Sequence, residues 1–175
     1  MPARSDVSQD ATKKLRGVTF ERLAILYARV ALGAAFLSAV ADRFGLWGKY
    51  GGWGNFATFT QYTAQVNSFM PAFMIPFLAW AATAAELSLG ITLIIGIRLR
   101  WVAVGAATLL FLFGTTMAIS FGVKSPLDYS VFSAFAGALL LALHQSGQMR
   151  SAVVARQSAA LKAAMNLRSV DGSLN

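Results

Sequence analysis

Cysteine is absent from this sequence of 175 residues, and histidine occurs once, as His144. Without cysteine the chain cannot form disulfides, thiolate nucleophiles or thiolate-ligated clusters, and it cannot attach haem through a CxxC motif. A single histidine cannot supply both axial ligands of a bis-histidine haem. We therefore expect no haem or metal held by this chain alone, and any redox role must depend on a partner or on a diffusible cofactor.

Charged residues are scarce as well, at 13% of the chain, whereas 57% of the residues are hydrophobic. That fraction exceeds what the core of a soluble domain of this size needs, so the excess must face lipid. The net charge of +8 arises from lysines and arginines at the chain ends and in the loops, not from a uniformly basic surface. The sequence therefore predicts the lipid bilayer as a partner and argues against nucleic acid.

Four uninterrupted apolar stretches are each close to the roughly 20 residues that a helix needs to cross about 30 Å of hydrocarbon. They lack the period-two alternation of membrane β-barrel strands. Small residues recur at a spacing of four around Gly90 and Gly114, which favours close helix packing. The predicted fold is all-α, a polytopic four-transmembrane-helix bundle within residues 22–144. Its approximate spans are 23–41, 72–97, 101–123 and 127–143.

The start of the fourth span is marked by a capping pattern. Ser125 can cap a helix, Pro126 suits the first helical position and Asp128 completes an S-x-x-D box. We expect one continuous helix from this point to Leu143, with His144 as a cap at its C-terminal end.

Lysine and arginine are distributed unevenly between the two sides of the membrane. Eleven lie before the first span, between the second and third spans, and after the fourth. The opposite side has three, Arg43, Lys49 and Lys124. The positive-inside rule therefore predicts that both termini are cytoplasmic.

The end of the first span also permits a second interpretation. Ala39-Val40-Ala41 before Asp42 is similar to a signal-peptidase site, and the stretch before it is basic and then apolar. Cleavage after Ala41 would reduce the bundle to three helices.

Three segments lie outside the predicted spans. Residues 1–21 are polar and are predicted to be a disordered cytoplasmic N-terminus. Residues 145–175 are predicted to be a basic cytoplasmic tail that is in part an amphipathic helix on the inner leaflet. Residues 42–71 form a long outer loop, and loops of this length are more often functional or membrane-associated than idle.

The outer loop is rich in aromatic residues and glycine. Its rings suit either an aromatic belt at the level of the lipid headgroups or a lid over an apolar ligand. Asn55 is a candidate N-cap for a short helix that carries Phe56, Phe59, Thr63 and Val66 roughly on one face. The residues that we assign to this outer interface are Asp42, Arg43, Trp47, Trp53, Phe56, Phe59 and Tyr62.

Ionisable residues inside the spans are the strongest indication of a functional site. A charged side chain at mid-bilayer costs about 2.5 to 3.5 kcal/mol of insertion free energy even on the most lenient scale. Glu86 lies near the centre of the second span and is expected to face the bundle interior as a proton or ligand site. Arg29 lies in the first span, and it either pairs with Glu86 or extends to the cytoplasmic surface. Asp42 and Arg43 end that span as a stop signal at the headgroups or in local polar contacts.

Several short motifs of this sequence recur in a known family. They are Arg29 with Gly33, Ala85-Glu86-Leu87 with Gly90, Gly96-Ile97-Arg98-Leu99-Arg100, and Gly122-Val123-Lys124-Ser125-Pro126-Leu127-Asp128-Tyr129-Ser130. In these motifs the chain resembles the bacterial DoxX family. The resemblance implies a four-helix protein of the bacterial plasma (inner) membrane. Some relatives are quinone-linked subunits of thiosulfate-oxidising enzymes, and others are membrane components of oxidoreductase assemblies. The Asp42-Arg43 pair departs from the family pattern, in which many members have a Gly-x-x-Lys or histidine-like end to span one.

Two hypotheses for function follow. In the first, the chain is an accessory or quinone-interacting membrane subunit of a redox complex, with quinone as the candidate cofactor and membrane oxidoreductases as candidate partners. In the second, it is a small-molecule or proton-coupled transporter, or a membrane scaffold without a redox role. A transporter of four helices without an inverted repeat would have to form a homo-oligomer. Neither hypothesis makes the chain a stand-alone enzyme.

Overall fold

The computed structural model describes the backbone of residues 4–171 and the side chains of residues 20–148 and 151–159. Every regular element in this described backbone is helical. The helices are α1 (Arg4–Arg43), α2 (Phe56–Val66), α3 (Ile75–Ile95), α4 (Leu99–Phe121), α5 (Lys124–Asp128) and α6 (Val131–Asp171). Short 3-10 turns lie at Gly48–Tyr50 and Ala72–Met74.

Three stretches are long and apolar enough to cross a membrane. Large apolar side chains on their outer surfaces are exposed, and Trp101 and Ile119 have 66% and 64% of their surface free. Such surfaces are unfavourable in water and suit a lipid environment. The chain is therefore a multi-pass membrane protein, and the first three predicted spans coincide with these stretches. They are Phe20–Arg43, Ala72–Ile95 and Leu99–Phe121.

The predicted fourth span is interrupted in the structure. Ser125 is not a helix cap, since α5 begins after Val123, which makes no side-chain capping bond, and ends at Asp128. Ser130 then takes a left-handed conformation with φ 55°, which separates α5 from α6. The apolar part of α6, residues 131–143, spans only about 20 Å at 1.5 Å per residue. The described residues thus contain three spanning helices, and the fourth stays a prediction.

The two terminal segments are helical where the structure describes them. We expected disorder over residues 1–21, but the backbone of α1 is helical from Arg4. The physical reason is that extending a helix costs little once it is nucleated. Helix α6 runs past His144, whose Nδ1 lies 3.3 Å from Oε1 of Glu21 in α1 instead of capping a helix end. Residues 1–3 and 172–175, which belong to the two predicted terminal segments, lie outside the described residues.

Helices α1 and α3 pack antiparallel and cross at two glycines. A Cβ atom on Gly33 would lie 2.9 Å from the carbonyl oxygen of Gly90, and one on Gly90 would lie 3.1 Å from the carbonyl oxygen of Gly33. The two backbones therefore approach more closely than a side chain permits, which is the packing that small residues allow between membrane helices.

Helices α4 and α6 form the second close pair. A Cβ atom on Gly114 would lie 2.7 Å from the ring of Phe132, so the ring takes the space that the glycine leaves. The interior of the bundle is filled by small and aliphatic side chains together with one phenylalanine. Its buried members are Phe36, Leu93, Ala103, Ala106, Ala107, Leu110, Ala138, Leu141 and Ala142.

The glycine crossing predicts a local sensitivity to added bulk. Gly33→Ala is expected to lower the free energy of unfolding by about 1 to 3 kcal/mol, because its Cβ meets the Gly90 carbonyl and forces the helices apart. The measurement is the unfolding of the purified protein in mixed micelles on titration with SDS, followed by circular dichroism.

Gly137→Ala is the matched control for this change. It lies in α6, where a Cβ would meet nothing within 4 Å, so it is expected to be neutral or slightly stabilising through helix propensity. Equal destabilisation by the two variants would contradict the assignment of a close crossing to Gly33.

Candidate functional site

A buried ion pair joins the end of α1 to the middle of α3. Nη2 of Arg43 donates to Oε1 of Glu86 at 2.6 Å, and Nη1 of Arg43 donates to Oγ1 of Thr83 at 2.8 Å. The two charged side chains are only 4% and 3% exposed. Thr83 in turn donates to the carbonyl oxygen of Ala79. We call this group the Arg43–Glu86 site.

The local sequence explains why these side chains meet. Thr83 and Glu86 are three residues apart and so lie on the same face of α3, which is the buried face toward α1. Side chains of a helix lean toward its N-terminus. Because α1 and α3 are antiparallel, Arg43 leans back into the bundle and Glu86 leans up toward it. The long arginine side chain covers the remaining difference in depth.

The structure thus assigns different partners from those that we expected. We placed Arg43 at the outer interface with Asp42, whereas it is buried beside Glu86. The alternative pairing of Arg29 with Glu86 is not formed. Nε and Nη2 of Arg29 donate instead to the carbonyl oxygens of Leu93 and Ile94, each at 3.1 Å. These are carbonyls at the C-terminal end of α3, where the helix dipole favours a cation.

An aromatic helix covers the site. The ring centroid of Phe59 lies 3.7 Å from Cζ of Arg43, in cation–π contact. The predicted short helix is confirmed as α2: Oδ1 of Asn55 accepts from the backbone N–H of Thr58, and the buried residues of α2 are Phe59, Thr63 and Val66. Gln61 and Gln65 on the opposite face are exposed. We call residues 44–66 the lid.

Other aromatic residues of the lid surround Phe59. The rings of Trp53 and Tyr62 are 4.4 Å apart, and Trp53 lies 5.7 Å from Phe59. Phe56 bridges from Phe59 to Trp80 of α3, at 5.9 and 4.3 Å respectively. Partial burial raises the pKa of Tyr62, and neighbouring Tyr129 adds to the increase, so its hydroxyl is neutral at physiological pH.

Trp47 is placed apart from this group. It is half exposed, and its Nε1 donates to the carbonyl oxygen of Ser38 in α1 at 3.1 Å. That position at the surface suits an aromatic belt, whereas Phe59 acts as a cover. The positions of Trp47 and Phe59 are therefore compatible with the belt and with the lid respectively, and both interpretations stay predictions.

Asp42 ties the lid to the end of α1. Its Oδ2 accepts hydrogen bonds from the backbone N–H groups of Gly52 and Trp53, at 2.9 and 3.1 Å. The local polar contact was one of the two roles expected for this residue. Adjacent residues at the end of α1 thus have separate tasks, since Asp42 holds the lid and Arg43 neutralises Glu86.

Three buried polar atoms of this region have no hydrogen-bond partner among the described residues. They are Oδ1 of Asp42, Nε of Arg43 and Oε2 of Glu86. A buried polar group without a partner costs about 1 to 3 kcal/mol of stability, so three such groups in one region lower the stability of that region. Two of them belong to the ion pair, which therefore offers both a donor and an acceptor to a small ligand. In the described part of the chain no three His, Asp or Glu side chains gather to hold a metal ion.

Comparison with family models yields a match. The family model DoxX matches residues 24–121, which is more than half of the chain. The matched part contains Arg29, Arg43, the lid and Glu86, and it ends at the last residue of α4. No curated protein and no solved structure matches the chain.

The buried pair predicts a strong coupling between its two members. Glu86→Leu alone is expected to lower the free energy of unfolding by about 3 to 5 kcal/mol, because it leaves the Arg43 charge buried and unpaired. The double variant Arg43→Met with Glu86→Leu is expected to recover most of that loss, since no charge remains buried. The measurement is again SDS titration in mixed micelles.

Asp128→Asn is the control for this cycle. It breaks the exposed ion pair between Lys124 and Asp128 and is expected to change stability by less than about 1 kcal/mol. The free energy of unfolding is also measured for Arg43→Met alone. If the losses in Glu86→Leu and in Arg43→Met simply added up in the double variant, the coupling between the two buried side chains would be refuted.

Proposed function

Because the chain belongs to the DoxX family, and because its buried ion pair lies under aromatic rings, we propose that it is an accessory membrane subunit of a redox complex that binds a quinone at the Arg43–Glu86 site. In this proposal the chain is not a stand-alone enzyme. It binds the quinone and handles protons, while a partner oxidoreductase exchanges the electrons.

The proposal includes a topology in the bacterial plasma membrane. The apolar part of α6, together with α5, makes the fourth crossing, and both termini are cytoplasmic. The uneven distribution of lysine and arginine supports this orientation. The burial of Arg43 strengthens it, because only Lys49 and Lys124 of the three outer cations are exposed. The lid then lies on the outer side of the membrane.

The observation that carries the proposal is that Nε of Arg43 and Oε2 of Glu86 have no hydrogen-bond partner among the described residues, in an ion pair whose arginine is covered by the ring of Phe59. A quinone head is a flat, largely apolar ring with two carbonyl acceptors. Arg43 supplies N–H donors for a carbonyl, and the face of its guanidinium already accommodates a six-membered aromatic ring. Glu86 supplies an acceptor for the hydroxyl of the reduced form.

The proposed chemistry divides between the ligand and the protein. On reduction a quinone takes up two electrons and two protons to become a quinol. Glu86 is the residue that holds or releases a proton at Oε2, and Arg43 keeps the carboxylate in place at Oε1 and balances its charge. The chain has no cysteine and one histidine, so the electrons are assigned to the partner.

Quinone binding provides the direct test. A tail-less dimethoxybenzoquinone added to the purified protein in detergent is expected to bind saturably, as measured by calorimetry and by quenching of tryptophan fluorescence. With the same ligand in its reduced, quinol form, Glu86→Gln is expected to weaken binding by at least about tenfold, equivalent to 1.4 kcal/mol, because the charged carboxylate that accepts the quinol hydroxyl is lost. Trp101→Phe, at the far end of α4, is the control and is expected to leave the affinity unchanged.

Arg43→Lys serves as a second variant, because it keeps the positive charge while it removes the forked donors. It is expected to weaken quinone binding without loss of the helical circular dichroism spectrum. Absence of saturable binding to the wild type, or equal quinol affinity in Glu86→Gln, would refute the quinone site.

A second function is favoured by one observation, namely that the ion pair links α1 to α3 and its charges neutralise each other. This arrangement also suits a membrane scaffold or a transporter with no redox role. Purification of the full chain from native membranes in mild detergent distinguishes the two. We expect a membrane oxidoreductase to co-purify. Its absence, together with Glu86-dependent solute flux in proteoliposomes, would favour transport instead.

A further inference from the structure

The lid blocks the way to the Arg43–Glu86 site. Phe59 lies on the guanidinium of Arg43 at 3.7 Å from its Cζ, and Thr63 and Val66 are buried on the same face of α2. A ligand ring that stacks on Arg43 must therefore take the place of Phe59. Phe59 is buried and contacts Trp53 and Phe56, so we consider its displacement together with α2, as one unit.

Besides the bond from Nε1 of Trp47 to the carbonyl oxygen of Ser38, side-chain hydrogen bonds hold the lid at two further points. At its N-terminal part, Asp42 accepts from the backbone N–H groups of Gly52 and Trp53. At its C-terminal end, Oγ of Ser120 in α4 donates to the carbonyl oxygen of Val66 at 2.6 Å. The first contact is a charge-assisted interaction with a loop, and the second is a single neutral bond near the end of α4.

The backbone before α2 is suited to movement. Gly45, Gly48 and Gly54 have φ values of 73°, 53° and 68°, in a region that glycine enters without strain. Loop segments that absorb dihedral changes are the usual hinges of lids. The opposite face of α2 carries Gln61 and Gln65, which are exposed in the closed lid, so this face contacts water or headgroups both before and after the movement.

One hydrogen-bond acceptor of the closed lid also lacks a partner. Oδ1 of Asp42 is buried and has no hydrogen-bond partner among the described residues. Opening the lid would expose this oxygen to water, and hydration would offset part of the loss of the two bonds to Oδ2. The free-energy difference between the closed and the open lid is therefore smaller than the loss of two charge-assisted hydrogen bonds alone would make it.

We infer that Asp42 is the latch of the lid, a positioning residue that keeps Phe59 over Arg43, and that ligands reach the Arg43–Glu86 site from the lid side of the membrane when this latch releases. The identity of the ligand rests on the proposed function. The movement of the lid does not, because it can be measured without any ligand.

The absence of native cysteine allows a clean accessibility test. A Thr63→Cys variant places a thiol on the buried face of α2, and a Gln65→Cys variant places one on the exposed face. Each full-length protein is reconstituted in sealed vesicles and treated with a membrane-impermeant maleimide, on one side at a time. We expect slow labelling of the Thr63→Cys variant and fast labelling of the Gln65→Cys variant, both from the lid side.

Addition of Asp42→Ala is expected to raise the labelling rate of the Thr63→Cys variant by about tenfold or more, since two charge-assisted hydrogen bonds are lost. The rate for the Gln65→Cys variant should not change. An unchanged rate in the Thr63→Cys variant, or labelling of it from the opposite side alone, would overturn the latch.

A disulfide lock provides a second test that does not alter Asp42. Oγ of Ser68, two residues after the lid, lies 3.4 Å from Oγ of Ser120, so a Ser68→Cys, Ser120→Cys pair can tie the segment that follows the lid to α4. Oxidation is expected to slow quinone association at least about tenfold, and reduction should restore it. Unchanged association in the oxidised form would overturn the lid. If labelling depends on Asp42 but no quinone binds, the proposed function alone fails.

Discussion

A carboxylate in the middle of a membrane helix must be protonated or have its charge compensated, and Arg43 compensates Glu86 across the α1–α3 interface. This interaction constrains much else. Arg43 must lie at the end of α1, and the two helices must be antiparallel and in fixed register. The crossing of Gly33 and Gly90 sets the close approach, and Phe59 closes the remaining side.

Local signals in the sequence were sufficient for part of this arrangement. Asn55 and the spacing of Phe56, Phe59, Thr63 and Val66 predicted α2 and its inner face, because both are properties of one short helix; of these four, Phe56 is only partly buried. The depth of Glu86 predicted its orientation toward the interior. The three spans that the structure contains coincide with apolar stretches, because membrane helices are selected by length and hydropathy.

The partners of the charged residues were not predictable in the same way. Arg43 was counted with the loops because it follows the apolar run, and only the register between α1 and α3 shows that its side chain turns inward. Arg29 contacts carbonyls at the end of α3, which no pattern within α1 indicates. The break before α6 depends on the left-handed conformation of Ser130, and serine carries no strong signal for that conformation.

The register of α1 against α3 also limits how the length of this protein can vary. Arg29 and Arg43 are fixed to opposite parts of α3, with the glycine crossing between them. One inserted residue in that interval would rotate everything after it by about 100° and turn either Arg43 or Arg29 toward lipid. Insertions and deletions are therefore expected to be excluded from residues 29–43 in functional variants. The glycine-rich part of the lid can absorb them, so any length variation in this half of the chain belongs there.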